Sequence, residues 1–167
     1  MAMTIFSIEG PFDVPIQPNV QSKMVAEDLS SFWKQCPSLK SKIGGYVFAV
    51  RAGKGLTPLY VGKTTNCFEK ECFTDHKLKH YNYGLAPYKK GTPVMFFVSY
   101  PAKKGKVNAA DIADLEDFLI QVGRTINPDL RNIKGIKEPT WGIKGVIRGG
   151  KGKANGAEKS FCHLFGL

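Results

Sequence analysis

Two short β-rich runs joined by a loop containing glycine and proline constrain this chain most. Gly44-Gly45-Tyr46-Val47-Phe48-Ala49-Val50 is followed by the loop Ala52 to Pro58 and then by Leu59-Tyr60-Val61-Gly62. Aromatic and β-branched side chains suit a half-buried pleated face, and a loop of this kind turns the chain back on itself, so the pair predicts a hairpin. Val94 to Ser99 is a continuous apolar run between Pro93 and Pro101, which suits a buried third strand. Between hairpin and third strand, Asn66 to Tyr81 is polar with Phe68, Cys72, Phe73 and Leu78 interspersed, as in a helix. Asn108 is placed to cap a further helix whose stripe is Ile112, Leu115, Phe118, Leu119 and Val122. That helix ends near Gly123. The order β-β-α-β-α predicts an α/β domain with a small central three-stranded sheet, antiparallel or mixed, flanked by helices.

The flanks differ from this core. Residues 1 to 19 carry Pro11, Pro15 and Pro18 and read as an extended lead-in. Val20, Met24, Val25, Leu29, Phe32 and Trp33 fall at helical spacing and predict an amphipathic helix from Val20 to Gln35, stopped by Pro37, with Trp33 as a core anchor. From Lys134 onward, glycines alternate with lysines and arginine. The expected division is therefore 1–42 as lead-in and packing helix, 43–133 as core, and 134–167 as a basic, glycine-rich extension. Ile143, Val146, Ile147, Phe161, Leu164 and Phe165 give that extension apolar content that packs back in part on a domain.

Charge narrows the partners. Lysine and arginine total 24 against 14 acidic residues, a formal net charge of +10, which favours a polyanion, nucleic acid before an anionic membrane surface. No apolar run approaches the ~20 residues of a spanning helix, and Met1 to Gly10 lacks the basic start and apolar stretch of a secretory signal. Cys36, Cys67, Cys72 and Cys162 have no CxxC spacing and read as reduced thiols in the cytoplasm. Cys72, His76 and His80 would share one face of an unbroken helix, but zinc needs a fourth ligand or an open position, and none stands nearby. No zinc-finger or helix-turn-helix pattern is present, so little base specificity is expected.

Gly45-Tyr46-Val47 and Tyr60-Val61-Gly62, one short hairpin apart, resemble the two elements that name the GIY-YIG nuclease superfamily. Leu115-Glu116 with Phe118-Leu119-Ile120, then Pro128-Asp129-Leu130-Arg131-Asn132, resembles that family's later helix and the leucine-asparagine pair behind it, here interrupted by Arg131. The likeness covers Ile43 to Asn132. It implies a divergent endonuclease or phosphodiesterase using Mg²⁺ (or Mn²⁺), with DNA the favoured substrate. On that resemblance Glu116 is the metal ligand, Tyr46 the base or its relay, and Tyr60 a phosphate or water ligand. Gly45 belongs to the first element, Gly62 permits a tight exit from the second strand, and Asn132 is a structural hydrogen-bonder near the site.

One family position departs. The arginine expected on the helix after the second element falls at Lys70 or, with an insertion, at Glu71 or Cys72. Lysine lacks the bidentate fork of arginine, and losing one transition-state stabiliser costs about 10²- to 10³-fold in rate. The resemblance offers Lys63 as a partial replacement and His76 as a base. Glu71 is a second carboxylate able to share a metal with Glu116 if the two meet. Lys77, Lys144, Arg148, Lys151 and Lys153 are candidates for phosphate-backbone contacts, and Trp141 with Phe161 for stacking on unpaired bases. The rival expectation is a catalytically degenerate nucleic-acid-binding module of the same fold, and behind it a protein-interaction domain.

Overall fold

The computed structural model describes residues 4–18, 20–101, 106–132 and 156–165. The chain divides into two units, Met1–Lys134 and Gly135–Leu167. In the first, β1 (Ser7–Asp13) precedes α1 (Ser30–Gln35) and a short 3₁₀ turn, Pro37–Leu39. Then come β2 (Gly44–Ala52), β3 (Gly55–Thr64), α2 (Phe68–Glu71), α3 (Asp75–Leu85), β4 (Thr92–Ser99) and α4 (Ala109–Ile126). In the second unit the described element is α5 (Gly156–Phe165). Lys144, Arg148, Lys151 and Lys153, and with them Trp141, lie outside the described residues.

The architecture is α/β, and the sheet has four strands where three were expected. Its order is β1-β4-β2-β3, and every neighbouring pair is antiparallel. The additional strand comes from the lead-in. Ser7 pairs with Ser99 and Asp13 with Val94, with a bulge between Glu9 and Phe12. Neither Gly10 nor Pro11 favours a strand interior, but an edge strand with a bulge accommodates both.

The predicted helix from Val20 to Gln35 shrinks to Ser30–Gln35. Val25 instead bridges Ile16 in antiparallel fashion, and its N–H donates to Asn82 Oδ1 at 2.9 Å. Local helical spacing thus loses to a tertiary bridge that satisfies the same backbone groups. The predicted helix from Asn66 to Tyr81 is likewise interrupted. Thr74 is extended (φ −64°, ψ 156°) and separates α2 from α3.

Strand alternation sends Tyr46, Phe48, Tyr60, Met95 and Phe97 to one face. There they meet Phe32 and Trp33 of α1, Phe68 of α2 and Tyr81 and Leu85 of α3 in one buried cluster. Aromatic geometry knits it together: Phe48 stacks on Tyr81 at 4.1 Å, and Phe68 tilts against Phe97 at 4.7 Å. On the opposite face α4 lies close, because Gly45 has no Cβ; one added there would sit 3.1 Å from Leu115 Cδ2. The sheet is therefore sandwiched between α1–α3 and α4. Asn108 caps α4, its side chain accepting from the Ala110 N–H at 3.1 Å. Among the described residues no helix is long and apolar enough to cross a membrane.

Candidate active site

The site forms where the hairpin, α3 and α4 come together along β3. Tyr46 pairs with Gly62 and Phe48 with Tyr60, so both tyrosines lie on the α3 face. Tyr46 is fully buried and Tyr60 nearly so. The glycine at 62 has a reason different from the one expected. β3 continues to Thr64, so Gly62 is no strand exit; a Cβ there would sit 2.6 Å from Tyr46 Cε2 and closer still to Cζ and the hydroxyl. Gly62 is the floor on which the Tyr46 ring rests.

Asn132 holds this edge of the sheet. Its side-chain amide accepts from the Val61 N–H at 2.8 Å and donates to the Val61 carbonyl at 2.6 Å, doing the work of a neighbouring strand. Beside it the Arg131 N–H donates to the Leu59 carbonyl at 2.9 Å. The exposed rim of β3 is thereby closed by side chain and backbone from the segment after α4.

Four charged groups flank this stretch in two pairs, Lys63 with Glu116 on the α4 face of the sheet and Lys77 with Glu71 on the tyrosine face. Lys63 of β3 meets Glu116 of α4 at 2.7 Å, the carboxylate being only 19% exposed. Lys77 of α3 meets Glu71 of α2 at 3.1 Å and lies 5.9 Å from the centre of the Tyr60 ring. Burial pushes the Tyr46 hydroxyl far above the usual tyrosine range, and Cys72, Tyr60, Glu71 and Glu116 add to it. Burial also raises Tyr60; Lys77 opposes this, while Glu116 and Glu71 reinforce it. Partial burial works against the charge on Lys77, yet Tyr60 and Glu71 outweigh it and lift the ammonium above its ordinary value. Both carboxylates therefore act on both tyrosine hydroxyls, and both tyrosines stay protonated at neutral pH.

The α2 residue turned toward this cluster is Glu71. Lys70 is exposed and, among the described residues, has none of the ion pairs that tie Lys63 and Lys77 to the site. Cys72 is fully buried, and its carbonyl accepts from the Tyr81 hydroxyl at 2.5 Å. The break at Thr74 takes Cys72 off the face carrying His76 and His80. Among the described residues no three or more His, Cys, Asp or Glu side chains form a metal-holding group.

His76 and His80 approach each other, Nε2 to Nε2, at 3.3 Å. It is His80, rather than His76, whose ring stacks on Tyr60, at 5.3 Å between centres. Burial lowers the His80 pKa, and the neighbouring His76, Arg131 and Lys77 lower it further. An imidazole so placed is neutral and able to accept a proton at pH 7. Sequence reasoning passed over His80 as a site residue. The available signal was its spacing, four residues after His76 and three after Lys77 on α3.

The donor chemistry is that of hard oxygen: Glu116, Glu71 and a buried Tyr46 hydroxyl that finds no hydrogen-bond partner among the described residues. This chemistry suits a small dication that keeps most of its water. It does not fit a dedicated protein cage. Comparison with protein-family models, curated proteins and solved structures returns no match for this chain.

Proposed function

We propose that the chain is a divergent, GIY-YIG-type phosphodiesterase that cleaves nucleic acid, with DNA the favoured substrate. The observation that carries this is the largely buried Glu116, which reaches Lys63 of β3 from α4 at 2.7 Å and bears electrostatically on both hairpin tyrosines. In hydrolysis a water oxygen bonds to phosphorus as the bond from phosphorus to the 3′ oxygen breaks, and that oxygen takes a proton from solvent, leaving a 5′-phosphate and a 3′-hydroxyl. Lys63 and Lys77 draw the phosphate in. Tyr60, protonated, orients the attacking water as a neutral hydroxyl, and the fully buried Tyr46 stands behind it as a relay and not the base. His80, with His76 behind it, takes the water's proton. Glu116, released by Lys63, would hold Mg²⁺ or Mn²⁺, whose chemistry when bound is that of a Lewis acid for charge developing on the phosphate.

A second reading has its own observation. Glu116 and Glu71 are each already tied to a lysine, and the expected arginine is absent, its place falling at Lys70 or, with an insertion, at Glu71 or Cys72. That describes a binding module with a retired catalytic centre. One assay separates the two: cleavage of mixed plasmid and single-stranded substrates with Mg²⁺, Mn²⁺ or EDTA, by wild type and Glu116→Ala. Nicking that requires metal and falls about 10²-fold or more in the variant supports hydrolysis. Salt-sensitive binding by both proteins, without cleavage in any metal, supports the binding module.

A further inference from the structure

We infer that Tyr83 and Arg131 form a subsite for one unpaired nucleotide beside the candidate active site, its base stacking on Tyr83 and its phosphate held by Arg131. The inference rests on the nucleic-acid reading above and specifies the kind of strand that enters.

Tyr83 projects from α3 with 67% of its surface exposed, although the core of this unit is rich in rings that α3 buries elsewhere. Its partner is the Arg131 guanidinium, 4.1 Å from the ring centre. Arg131 is not a loose surface side chain. Its N–H is bonded to Leu59, Leu130 and Asn132 on either side are buried, and its Nε is buried without a partner among the described residues. Gly84 lets α3 lie close to β3 beside them, since a Cβ there would sit a tight 3.3 Å from Leu59 Cβ. The result is an exposed ring backed by a fixed cation.

The platform is continuous with the site. Arg131 acts on His80, and the His80 ring stacks on Tyr60. Lys77 and Arg131 both bear on the His80 ring, so two cations flank this stretch, and Glu71 pairs with Lys77. Like charges brought together in this way favour an anion between them. A flat apolar face beside an anion site matches the two halves of a nucleotide, and base-on-aromatic stacking tolerates any base. Bases within a duplex already cover each other's faces, so the ligand is single-stranded or splayed.

The test is fluorescence anisotropy in EDTA at fixed salt, with wild type, Tyr83→Ala and Tyr83→Phe. The labelled probes are a short oligothymidylate, an abasic deoxyribose-phosphate oligomer of equal length, and a blunt duplex. Tyr83→Ala is expected to weaken oligothymidylate binding roughly tenfold or more, from the usual worth of one stacked base. Affinity for the abasic oligomer and the duplex should stay within about twofold, and Tyr83→Phe should behave as wild type. Equal losses on the abasic probe, no loss at all, a Phe variant as weak as Ala, or no binding of any probe by wild type would each overturn the subsite. The outcome is separable from hydrolysis. Ring-dependent binding without Glu116-dependent cleavage retains the subsite and retires the enzyme; Glu116-dependent cleavage indifferent to Tyr83 does the reverse.

Discussion

Replacing Gly62 by alanine should cost far more than a glycine in a strand normally would, and the reason can be isolated. In an unobstructed strand the change gains about 0.4–1 kcal/mol by restricting the unfolded chain. Here the new methyl would meet the Tyr46 ring at 2.6 Å or less, where ordinary contact begins at 3.4 Å. The ring must retreat by ~1 Å in a core packed to crystal-like density. It has nowhere easy to go, since Phe68 stands edge-on at 6.4 Å and Tyr46 is fully buried. Overpacking of this kind costs about 1–3 kcal/mol, and the upper half of that range applies to a ring against strand backbone. Urea unfolding followed by far-ultraviolet circular dichroism would read it as a lower midpoint with unchanged slope. The decisive comparison is the same substitution made in Tyr46→Ala. That background is itself weakened by about 3–5 kcal/mol, but the obstacle is gone. Gly62→Ala should then be neutral or mildly stabilising, giving a coupling of about 2 kcal/mol or more. An equal cost in both backgrounds, or a cost below about 0.5 kcal/mol in wild type, would refute the account of Gly62 as the floor beneath Tyr46.

Two further outcomes are expected. Asn132→Ala strips the Val61 N–H and carbonyl of their buried partners, and a loss of about 2–4 kcal/mol should appear in the same urea experiment; a loss under about 1 kcal/mol would mean that water replaces the amide. His80 has a folded pKa below its ordinary 6.5, so the unfolded chain binds the proton more readily and stability should fall as pH drops below that value. His80→Gln should flatten that acid limb between pH ~7 and ~5, and an identical pH profile in the variant would contradict the lowered pKa.

The hairpin and β4 were legible because their residues choose a strand locally: β-branched and aromatic runs set off by Gly and Pro. α4 was legible from its stripe and from Asn108. β1 was hidden because Gly10 and Pro11 argue against a strand, and only the free edge of β4 makes one of Ser7–Asp13. The long helix expected before Pro37 failed for a similar reason, since nothing near Val25 in sequence announces Ile16 or Asn82 as its partners. Within the site, the family resemblance marked Tyr46, Tyr60, Lys63 and Glu116. What it could not show was the crossing of α3 over β3, which brings Lys77 and His80 to Tyr60 and Arg131 to Tyr83. That crossing depends on Gly84, whose missing side chain means something only beside Leu59 and Arg131.

The pairing of Ser7 with Ser99 also has a consequence for how the protein is made. A ribosome delivers β1 before any other strand, yet β1 can join the sheet only through β4, the last strand of the sheet to emerge. At about 5–20 residues per second, the first strand out waits several seconds for its place. During that time β2 and β3 can close on each other as a hairpin, while Ile5 and Ile8, still largely exposed in the finished fold, remain open to other partners. The sheet is therefore completed from its middle outward, and the first of its strands to be made is the last to be enrolled.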